Sequence, residues 1–396
     1  MIQVSVVGQG YVGLPLSIAA SNCGYKVMGI DSDINKVKSL NSGISIIEDV
    51  SSKEISQTLN AGRYQATTNF DVISQSAFVL ICVPTPLTAD GKPDLTALTA
   101  ALKSVGKNLS AGTLVILEST VEPGTTRDYV ATLIERESGL DKFQYYLAFS
   151  PERIDPSNKK WGIKNTPKLV AGLTEEATNK AISFYSKFVD TVVKCESPEV
   201  AETAKLLENS YRLINISFIN EVSMFCRKLG IDVNEVIRVA STKPYGFMPF
   251  FPSIGAGGHC IPVDPLYLAN KSSEIGAPMT MINLANKINR DVPNLYVQLA
   301  VEKIGELSGS KILIVGLSYK VNLADVRETP VSLLIEKLRA KGAKVFWHDH
   351  LVKEWNGETS VSLSRDFDLA ILATPHDGID LTKLGATPII NTRGSV

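Results

Sequence analysis

The chain has 396 residues with 40 basic and 41 acidic side chains, so its formal net charge at pH 7 is −1. This balance leaves no basic excess that would bind nucleic acid or an anionic membrane surface. Hydrophobic residues make up 44 % and charged residues 20 % of the chain. These values are typical of a globular protein, and the length indicates two or three domains.

Membrane anchors, metal sites and disulfide frameworks are not expected. The sequence has no run of about 18 or more apolar residues, and its first residues lack the basic start of a signal peptide. The five cysteines are scattered without a Cys-x-x-Cys pair, so we expect neither a metal site nor a set of disulfides. We therefore expect a cytoplasmic protein.

The first half of the chain alternates short apolar segments with helical patterns. Buried strands are predicted at 2–8, 26–31, 78–83, 114–118 and 146–149. Helical periodicity lies between them, for example at 12–23, 95–108 and 125–137. Strands that alternate with helices predict βαβ units and a parallel, doubly wound sheet of the Rossmann-like α/β class. We place this first domain at 1–197.

The pattern changes at Pro198. From Glu199 to Leu229 helical periodicity runs without proline or glycine, which predicts a helix far longer than average that separates domains or forms a dimer core. Residues 243–267 predict an irregular loop, and helical periodicity returns at 279–303, so we place a central helical domain at 198–305. Strand patterns return at 311–320, 344–349, 368–374 and 388–394, which predicts a second, smaller α/β domain at 306–396.

A dinucleotide-binding motif directly follows the first predicted strand. Gly8, Gly10 and Gly13 form Gly-x-Gly-x-x-Gly, which permits a tight turn, close approach of a pyrophosphate and close helix–strand packing. Asp31 ends the second strand, where a carboxylate binds the adenosine ribose and repels a 2′-phosphate, so NAD is favoured over NADP. The alternative is a glycine-rich turn in another kind of α/β domain. The remaining residues that we expect at the cofactor are Tyr11, Val12, Pro84, Thr85, Ser119 and Thr120.

One cysteine differs in its surroundings from the other four. A lone cysteine is most often a small buried hydrophobe, and this interpretation suits Cys23, Cys82, Cys195 and Cys226. Cys260 instead follows two glycines and precedes Asp264 by four residues, so it is a candidate nucleophile that would act as the thiolate. For the adjacent His259 we expect a structural role.

Further polar residues are candidates for the chemistry, each with an ordinary alternative. Lys205 and Asn209 are four residues apart on the long predicted helix and could donate hydrogen bonds to a developing oxyanion, or they could form a solvated helix face. Asp264 could act as a base or orient water, or it could cap a loop. Thr120 and Glu152 each follow a strand, at the sheet edge where ligands bind.

These segments together resemble the UDP-glucose/GDP-mannose dehydrogenase family, whose members are NAD-dependent four-electron enzymes. The resemblance extends over nearly the whole chain and is carried, in order, by VVGQGYVGLPLS, GIDSD, VPTP, EST–PGTT, FSPER, ETAKLLENSYR, GAGGHCIPVDPLYL, GLSYK–DVRETP and NTRG. It implies an NAD domain, a central helical segment that builds a homodimer or higher homo-oligomer, and a C-terminal UDP-binding domain.

The resemblance also implies roles for individual residues. Cys260 would carry a thiohemiacetal and then a thioester, while Lys205 and Asn209 would stabilise the oxygen on C6 of the sugar. Asp264 and Thr120 would hold the hydrolytic water, and Glu152 would be an acid or base. Residues expected to contact the UDP-sugar are Glu152, Arg153, Lys205, Asn209, Tyr245, Phe250, Gly257, Lys320 and Arg327.

Within that family the cysteine loop is most similar to the branch that acts on UDP-N-acetylglucosamine. His259, Pro262 and Val263 differ from residues usual in the UDP-glucose or UDP-N-acetylmannosamine branches. The alternatives are those two sugars and, more distantly, a two-electron β-hydroxyacid dehydrogenase or a non-catalytic sensor of NAD or UDP-sugars. One departure is Asn391, where the family usually has aspartate.

Overall fold

The computed structural model describes residues 1–155, 158 and 160–394, and the chain divides into two compact units, Met1–Leu207 and Glu208–Val396. Each unit contains its own sheet and its own buried core. Across the described part of the chain, no helix combines the length and apolar character needed to cross a membrane.

The first unit alternates strands and helices from the first residues onward. Its elements are β1 (Gln3–Val7), α1 (Gly13–Asn22), β2 (Lys26–Ile30), α2 (Ile34–Asn41), α3 (Ser52–Asn60), β3 (Tyr64–Thr67), β4 (Phe78–Ile81), α4 (Thr96–Lys107), β5 (Leu114–Leu117), α5 (Ala131–Ser138), β6 (Tyr146–Phe149), β7 (Lys168–Gly172), α6 (Glu175–Tyr185) and β8 (Val192–Lys194). The long helix α7 (Pro198–Leu229) begins in this unit.

The strands of the first unit form one sheet in the order β3-β2-β1-β4-β5-β6-β7-β8. Because alternate side chains of a strand point to opposite faces, Val6 packs with α1 and α6 on one face while Val7 packs with α4 and α5 on the other. Helices therefore cover both faces of this doubly wound sheet. The strand order reverses between β1 and β4, which opens a ligand crevice at their carboxyl ends.

The second unit has a helical part followed by a smaller sheet. After α7 come α8 (Val233–Ala240), α9 (Asp264–Glu274), α10 (Thr280–Ile304), β9 (Lys311–Val315), α11 (Pro330–Ala340), β10 (Lys344–His348), the short pair β11 (Glu354–Trp355) and β12 (Glu358–Thr359), β13 (Leu369–Leu372) and β14 (Ile389–Asn391). The parallel sheet has the order β10-β9-β13-β14, and α10 and α11 pack on one of its faces. The predicted α/β class is confirmed in both units.

Three local predictions need correction. The first sheet is mixed, because β7 pairs antiparallel with β6 and β8 follows β7 in parallel. The predicted loop 243–267 ends early, since α9 already begins at Asp264. The helix predicted at 125–137 opens with a wide π-type turn over Thr126–Val130 before α5 begins.

Candidate active site

The glycines of the motif after β1 have distinct structural reasons. Gly8 has a φ of 92°, and a Cβ there would lie 2.6 Å from the carbonyl oxygen of Cys82. A Cβ on Gly13 would lie 1.8 Å from the carbonyl oxygen of Gly8, so the turn and α1 close only around glycine. A Cβ on Gly10 would meet nothing within 4 Å. Gly10 therefore presents bare backbone to open space, as a bound pyrophosphate requires.

The carboxylate of Asp31 is held at the end of β2. Its Oδ2 accepts a hydrogen bond from the backbone N–H of Gln9 at 2.9 Å, and its Oδ1 accepts one from Asp33 at 3.0 Å. The ammonium of Lys36 lies 3.7 Å away. Each carboxylate oxygen can still accept another hydrogen bond, which is compatible with the predicted contact of Asp31 to a ribose diol.

The ends of β4 and β5 are tied together beside this turn. The hydroxyl of Thr85 donates a hydrogen bond to the carbonyl oxygen of Thr120 at 2.8 Å. The hydroxyl of Ser119 donates one to the carbonyl oxygen of Val83 at 2.7 Å. Pro84 is exposed in the same segment. The structure thus brings these predicted cofactor residues to one edge of the sheet.

Glu152 lies at the same edge, after β6, and its carboxylate is constrained from two sides. Its Oε1 accepts hydrogen bonds from the backbone N–H groups of Arg153 and Ile154 at 2.6 and 2.7 Å. Its Oε2 lies 3.4 Å from the ammonium of Lys168. Burial alone would raise the pKa of Glu152, but Lys168, these backbone donors and the charge of Lys205 lower it below its usual value. The guanidinium of Arg153 donates to the carbonyl oxygen of Pro167 at 2.7 Å.

A second buried carboxylate, Glu118, was missed by the sequence analysis. Its Oε2 lies 2.5 Å from the ammonium of Lys168, and its Oε1 accepts a hydrogen bond from the hydroxyl of Tyr185. Burial raises the pKa of Glu118 to about 7, against the lowering effect of Lys168. The only sequence signal was a charged residue at the end of an apolar strand.

The first turns of α7 are anchored to the segment that follows Thr120. Glu202 is fully buried and accepts hydrogen bonds from the backbone N–H of Gly124 at 2.7 Å and from the hydroxyl of Thr126 at 2.6 Å. Lys205 lies one turn further along α7 and is only 8 % exposed. Its burial contradicts the simple alternative of a solvated helix face.

In the second unit, Cys260 lies in the turn that leads into α9. Its carbonyl oxygen accepts the backbone N–H of Asp264 at 2.9 Å, so cysteine and carboxylate are joined by one turn of chain. The side chain of Cys260 is exposed, whereas that of Asp264 is 4 % exposed. Oδ2 of Asp264 accepts a hydrogen bond of 2.6 Å from the side-chain amide of Asn209. Three of the predicted catalytic residues therefore lie together.

The two glycines before Cys260 make room for an aromatic ring. A Cβ on Gly257 would lie 2.7 Å from the Cβ of Tyr319, and one on Gly258 would lie 2.8 Å from the Tyr319 ring. Gly258 also has a φ of 80°. These glycines therefore allow the cysteine loop to pack on the loop after β9.

A buried asparagine holds the same loop from the other side. Oδ1 of Asn289, on α10, accepts the backbone N–H of Ala256 at 2.6 Å, and Nδ2 donates to the carbonyl oxygen of Ala256 at 3.1 Å. This pair of bonds imitates a strand ladder and fixes the loop just before its glycines. A polar residue on the otherwise apolar face of α10 was the only sequence signal for it.

The remaining predicted substrate residues occupy varied positions. Arg327 makes a bidentate pair with Asp325, its Nη2 lying 2.6 Å from Oδ2, and Lys320 is half-buried in the same loop. Phe250 packs against the ring of Tyr211, with the ring centroids 5.9 Å apart. Tyr245 is 73 % exposed. Phe250 thus has a packing role that the sequence analysis did not assign.

Comparison with known proteins decides the family. The NAD binding, central and UDP binding domain models of the UDP-glucose/GDP-mannose dehydrogenase family match residues 2–189, 199–291 and 313–394. The UDP-N-acetyl-D-glucosamine 6-dehydrogenase of Pseudomonas aeruginosa is 35 % identical over 346 residues, which cover 85 % of this chain and 80 % of that protein. The chain belongs to the UDP-glucose/GDP-mannose dehydrogenase family.

Solved structures of the family support the same assignment. The UDP-D-ManNAc dehydrogenase of Pyrococcus horikoshii aligns with a TM-score of 0.91 at 31 % identity, over 99 % of this chain and 95 % of that one. A UDP-glucose dehydrogenase of Pyrobaculum islandicum aligns with a TM-score of 0.92 at 27 % identity, over 99 % and 94 %. The protein is an NAD-dependent nucleotide-sugar dehydrogenase, and the open backbone at Gly10 beside Asp31 suits the NAD that this family binds.

The UDP binding domain contains a turn like that of the NAD domain, but the acid at this turn is bonded within the protein. Gly316 follows β9 with a φ of 86°, and Asp349 follows β10, where it accepts the backbone N–H of Leu317 at 2.8 Å as Asp31 accepts that of Gln9. Asp349 is also bonded to Nε2 of His376 at 2.9 Å and is 1 % exposed. This acid is therefore engaged within the protein.

The structure also shows where two of the other cysteines and Asn391 lie. Cys226 is buried as expected, but Cys23 is exposed at the end of α1, and its thiol lies 3.2 Å from the carbonyl oxygen of Lys187. Asn391 accepts the backbone N–H of Arg393 at 3.0 Å, a role that the family's usual aspartate could also fill. Among the residues described, no three His, Cys, Asp or Glu side chains are grouped to hold a metal ion.

Proposed function

We propose that this protein oxidises the C6 hydroxyl of a UDP-N-acetylhexosamine, specifically UDP-N-acetylglucosamine, to the uronic acid. The observation that carries the proposal is the exposed thiol of Cys260, which lies one turn before the buried carboxylate of Asp264. This carboxylate accepts a hydrogen bond from the side-chain amide of Asn209. A simple two-electron dehydrogenase has no need of a nucleophile at this position. Two successive oxidations linked through sulfur need one.

In the proposed reaction, a first oxidation removes a hydride and a proton from the C6 alcohol and leaves an aldehyde. Cys260 adds to this aldehyde as a thiolate and forms a thiohemiacetal. Oxidation of this adduct leaves a thioester on Cys260. Asp264 and Thr120 hold the water that attacks the thioester, so the thiolate leaves and the uronate is released. Hydrolysis of a thioester is strongly favourable, which makes the overall reaction irreversible in practice.

Three other side chains act on charge and protons. Lys205 and Asn209 donate hydrogen bonds to the oxygen on C6 as its negative charge develops. The Asn209 amide already gives one N–H to Asp264 and has a second for the substrate. Glu152, with its lowered pKa, is ionised at neutral pH and accepts a proton as a general base.

The cofactor is held by the glycine turn and by the ends of neighbouring strands. Gly8, Gly10 and Gly13 with the start of α1 bind the pyrophosphate, and Asp31 binds the adenosine ribose. The segments at Pro84–Thr85 and Ser119–Thr120 line the crevice beyond. NAD held there would supply the hydride acceptor for each of the two oxidations.

Further substrate contacts are proposed for residues that match the motifs of the family. Arg153 would contact the sugar beside Glu152, while Gly257, Lys320 and Arg327 would contact the nucleotide. Tyr245 and Phe250 are further residues that would contact the substrate. We further propose three functional parts: an NAD domain at 1–197, a central domain at 198–305 and a UDP-sugar domain at 306–396.

The similar proteins favour two sugars over others. One relative at 35 % identity is named for UDP-N-acetylglucosamine, and a solved structure at 31 % identity is named for UDP-ManNAc. UDP-N-acetylmannosamine is therefore the second candidate, and UDP-glucose is the third. The rate of turnover on each sugar, measured under one set of conditions, decides among them.

The decisive experiment counts NADH formed per UDP-N-acetylglucosamine consumed, with wild type and Cys260→Ser side by side. Two NADH per sugar, with loss of uronate formation in the variant, is the expected result. One NADH per sugar, or a variant that releases uronate at the normal rate, would move the protein to the two-electron class. If UDP-N-acetylmannosamine alone is turned over, the reaction stands and the sugar is revised.

We also propose that the chain forms a homodimer or a higher homo-oligomer through α7. In the second unit, exposed apolar side chains recur on one face of this helix at Tyr211, Phe218, Phe225 and Leu229. Steps of four and seven residues return to the same side of a helix, so these side chains form one stripe. An apolar stripe of this length on a water-filled surface is typical of an interface. Light scattering coupled to size exclusion measures the mass, and a monomer would contradict the proposal.

A further inference from the structure

A buried lysine connects the two segments that carry Thr120 and Glu152. Because β7 runs antiparallel to β6, its first residue, Lys168, lies at the edge where β5 and β6 end. Its ammonium lies 2.5 Å from Oε2 of Glu118, 3.2 Å from the carbonyl oxygen of Pro151 and 3.4 Å from Oε2 of Glu152. All three N–H donors of the ammonium are thus directed to the ends of these two strands.

The burial of this cluster makes its geometry stringent. The side chain of Lys168 is 7 % exposed, that of Glu118 is fully buried and that of Glu152 is 16 % exposed. A charge in such surroundings is tolerated only when partners hold it closely. Removing the ammonium would therefore release the end of β5 and the end of β6 together.

The charges around the cluster determine which carboxyl group takes up a proton. Glu118 faces Lys168, Glu152, the hydroxyl of Tyr185 and the thiol of Cys82, and burial raises its pKa to about 7. Glu152 faces Lys168 and Lys205, and its pKa is lowered. As the pH falls, Glu118 therefore takes up a proton before Glu152 does.

We propose that Lys168 is a positioning residue for the oxidation, whose ammonium orients the Glu152 carboxylate and, through Glu118, the Ser119–Thr120 turn. This inference rests on the role proposed above for Glu152. Lys168 acts through these neighbours, and β7 places it there by running against the direction of the other site strands. The cluster thereby holds the carboxylate of the proposed general base, Glu152, in place.

The test is the pH profile of kcat/KM for UDP-N-acetylglucosamine in charge-altering variants. Lys168→Met should move the acidic limb to higher pH by about 1 to 3 units, because an adjacent cation lowers a carboxyl pKa by that amount. It should also lower kcat roughly 10- to 100-fold, as misplacement of a catalytic group does, with a smaller change in KM. Lys168→Arg keeps the charge and should keep the limb near its wild-type position.

A double variant separates positioning from stability. Lys168→Met alone leaves the buried Glu118 carboxylate without its cation. Combining it with Glu118→Gln removes both charges of this pair, so the Tm of the double variant should return towards the wild-type value. Its acidic limb should nevertheless stay displaced. If the limb of the double variant coincides with that of wild type, Lys168 is merely structural and the inference is overturned. Lys194→Met, at an exposed ion pair with Glu175, is the matched control and should change neither quantity.

Failure of the proposed function gives a different pattern. If wild type reduces no NAD with any UDP-sugar, the proposed function fails, and the ionisation of Glu152 is then followed directly by NMR of ¹³C-labelled carboxyl groups. Glu152→Gln assigns the signal. In Lys168→Met its titration should move to higher pH, and an unchanged titration would refute the role of Lys168 independently of turnover.

Discussion

Asn289→Ala is the substitution whose cost follows most directly from the structure. The side chain makes two hydrogen bonds to the backbone of Ala256, at 2.6 and 3.1 Å, and is 5 % exposed. Alanine leaves a buried N–H and a buried carbonyl oxygen without these partners, at roughly 1 to 3 kcal/mol for each group. The expected loss in the free energy of unfolding is therefore about 2 to 6 kcal/mol.

The assay is thermal unfolding, supported by urea titration. For a unit the size of Glu208–Val396, about 2 to 4 °C per kcal/mol predicts a fall in Tm of roughly 4 to 24 °C. Asn294→Ala is the matched control, because Asn294 lies on the same helix with an exposed side chain and should shift the free energy by less than about 0.5 kcal/mol.

A second readout connects the bond to the site. Below the Tm of the variant, kcat should fall along with stability, because Ala256 precedes the glycines that position the Cys260 loop. The reasoning is refuted if Asn289→Ala unfolds like wild type and Asn294→Ala does not. It is also refuted, as a statement about the site, if stability falls while kcat at low temperature is unchanged.

Three further predictions concern the cofactor, the pH dependence and the interface. Gly13→Ala should abolish measurable NAD binding in calorimetry, because its Cβ would lie 1.8 Å from the carbonyl oxygen of Gly8. UDP binding should persist. Retained NAD binding would contradict the role of the glycine turn in binding the pyrophosphate. Glu118 has a raised pKa in the folded state, so the folded protein binds the extra proton and stability falls as pH rises from about 4.5 to about 7. Glu118→Gln should remove roughly 3 kcal/mol of this pH-dependent loss in urea unfolding, at about 1.4 kcal/mol per pKa unit, and an unchanged slope would count against it. Phe218→Glu should give a monomer in light scattering, whereas Phe143→Glu, at an exposed site outside the stripe, should leave the mass unchanged.

The sequence by itself determined those parts of the protein that depend on local order. The strand, glycine turn and helix at β1 and α1 could be predicted because apolar periodicity, positive φ at Gly8 and the packing of Gly13 are encoded by neighbouring residues. The same is true of the long helix α7, which continues to Leu229 and stops where Gly230 adopts a φ of 72°. Residues one turn apart, such as Cys260 and Asp264, were likewise visible.

Only the tertiary structure decided which distant groups meet. The antiparallel direction of β7 brings Lys168 beside Glu118, which is 50 residues away in sequence. The residues of a strand do not by themselves determine its direction in the sheet. Asn289 meets Ala256 across 33 residues, and Tyr319 meets Gly258 across a longer span. The hydrogen bond between Asp349 and His376 depends on the order of the strands in the second sheet. Such contacts are selected by the packing of whole elements, because burial makes an unpaired polar group costly only after the chain has folded around it.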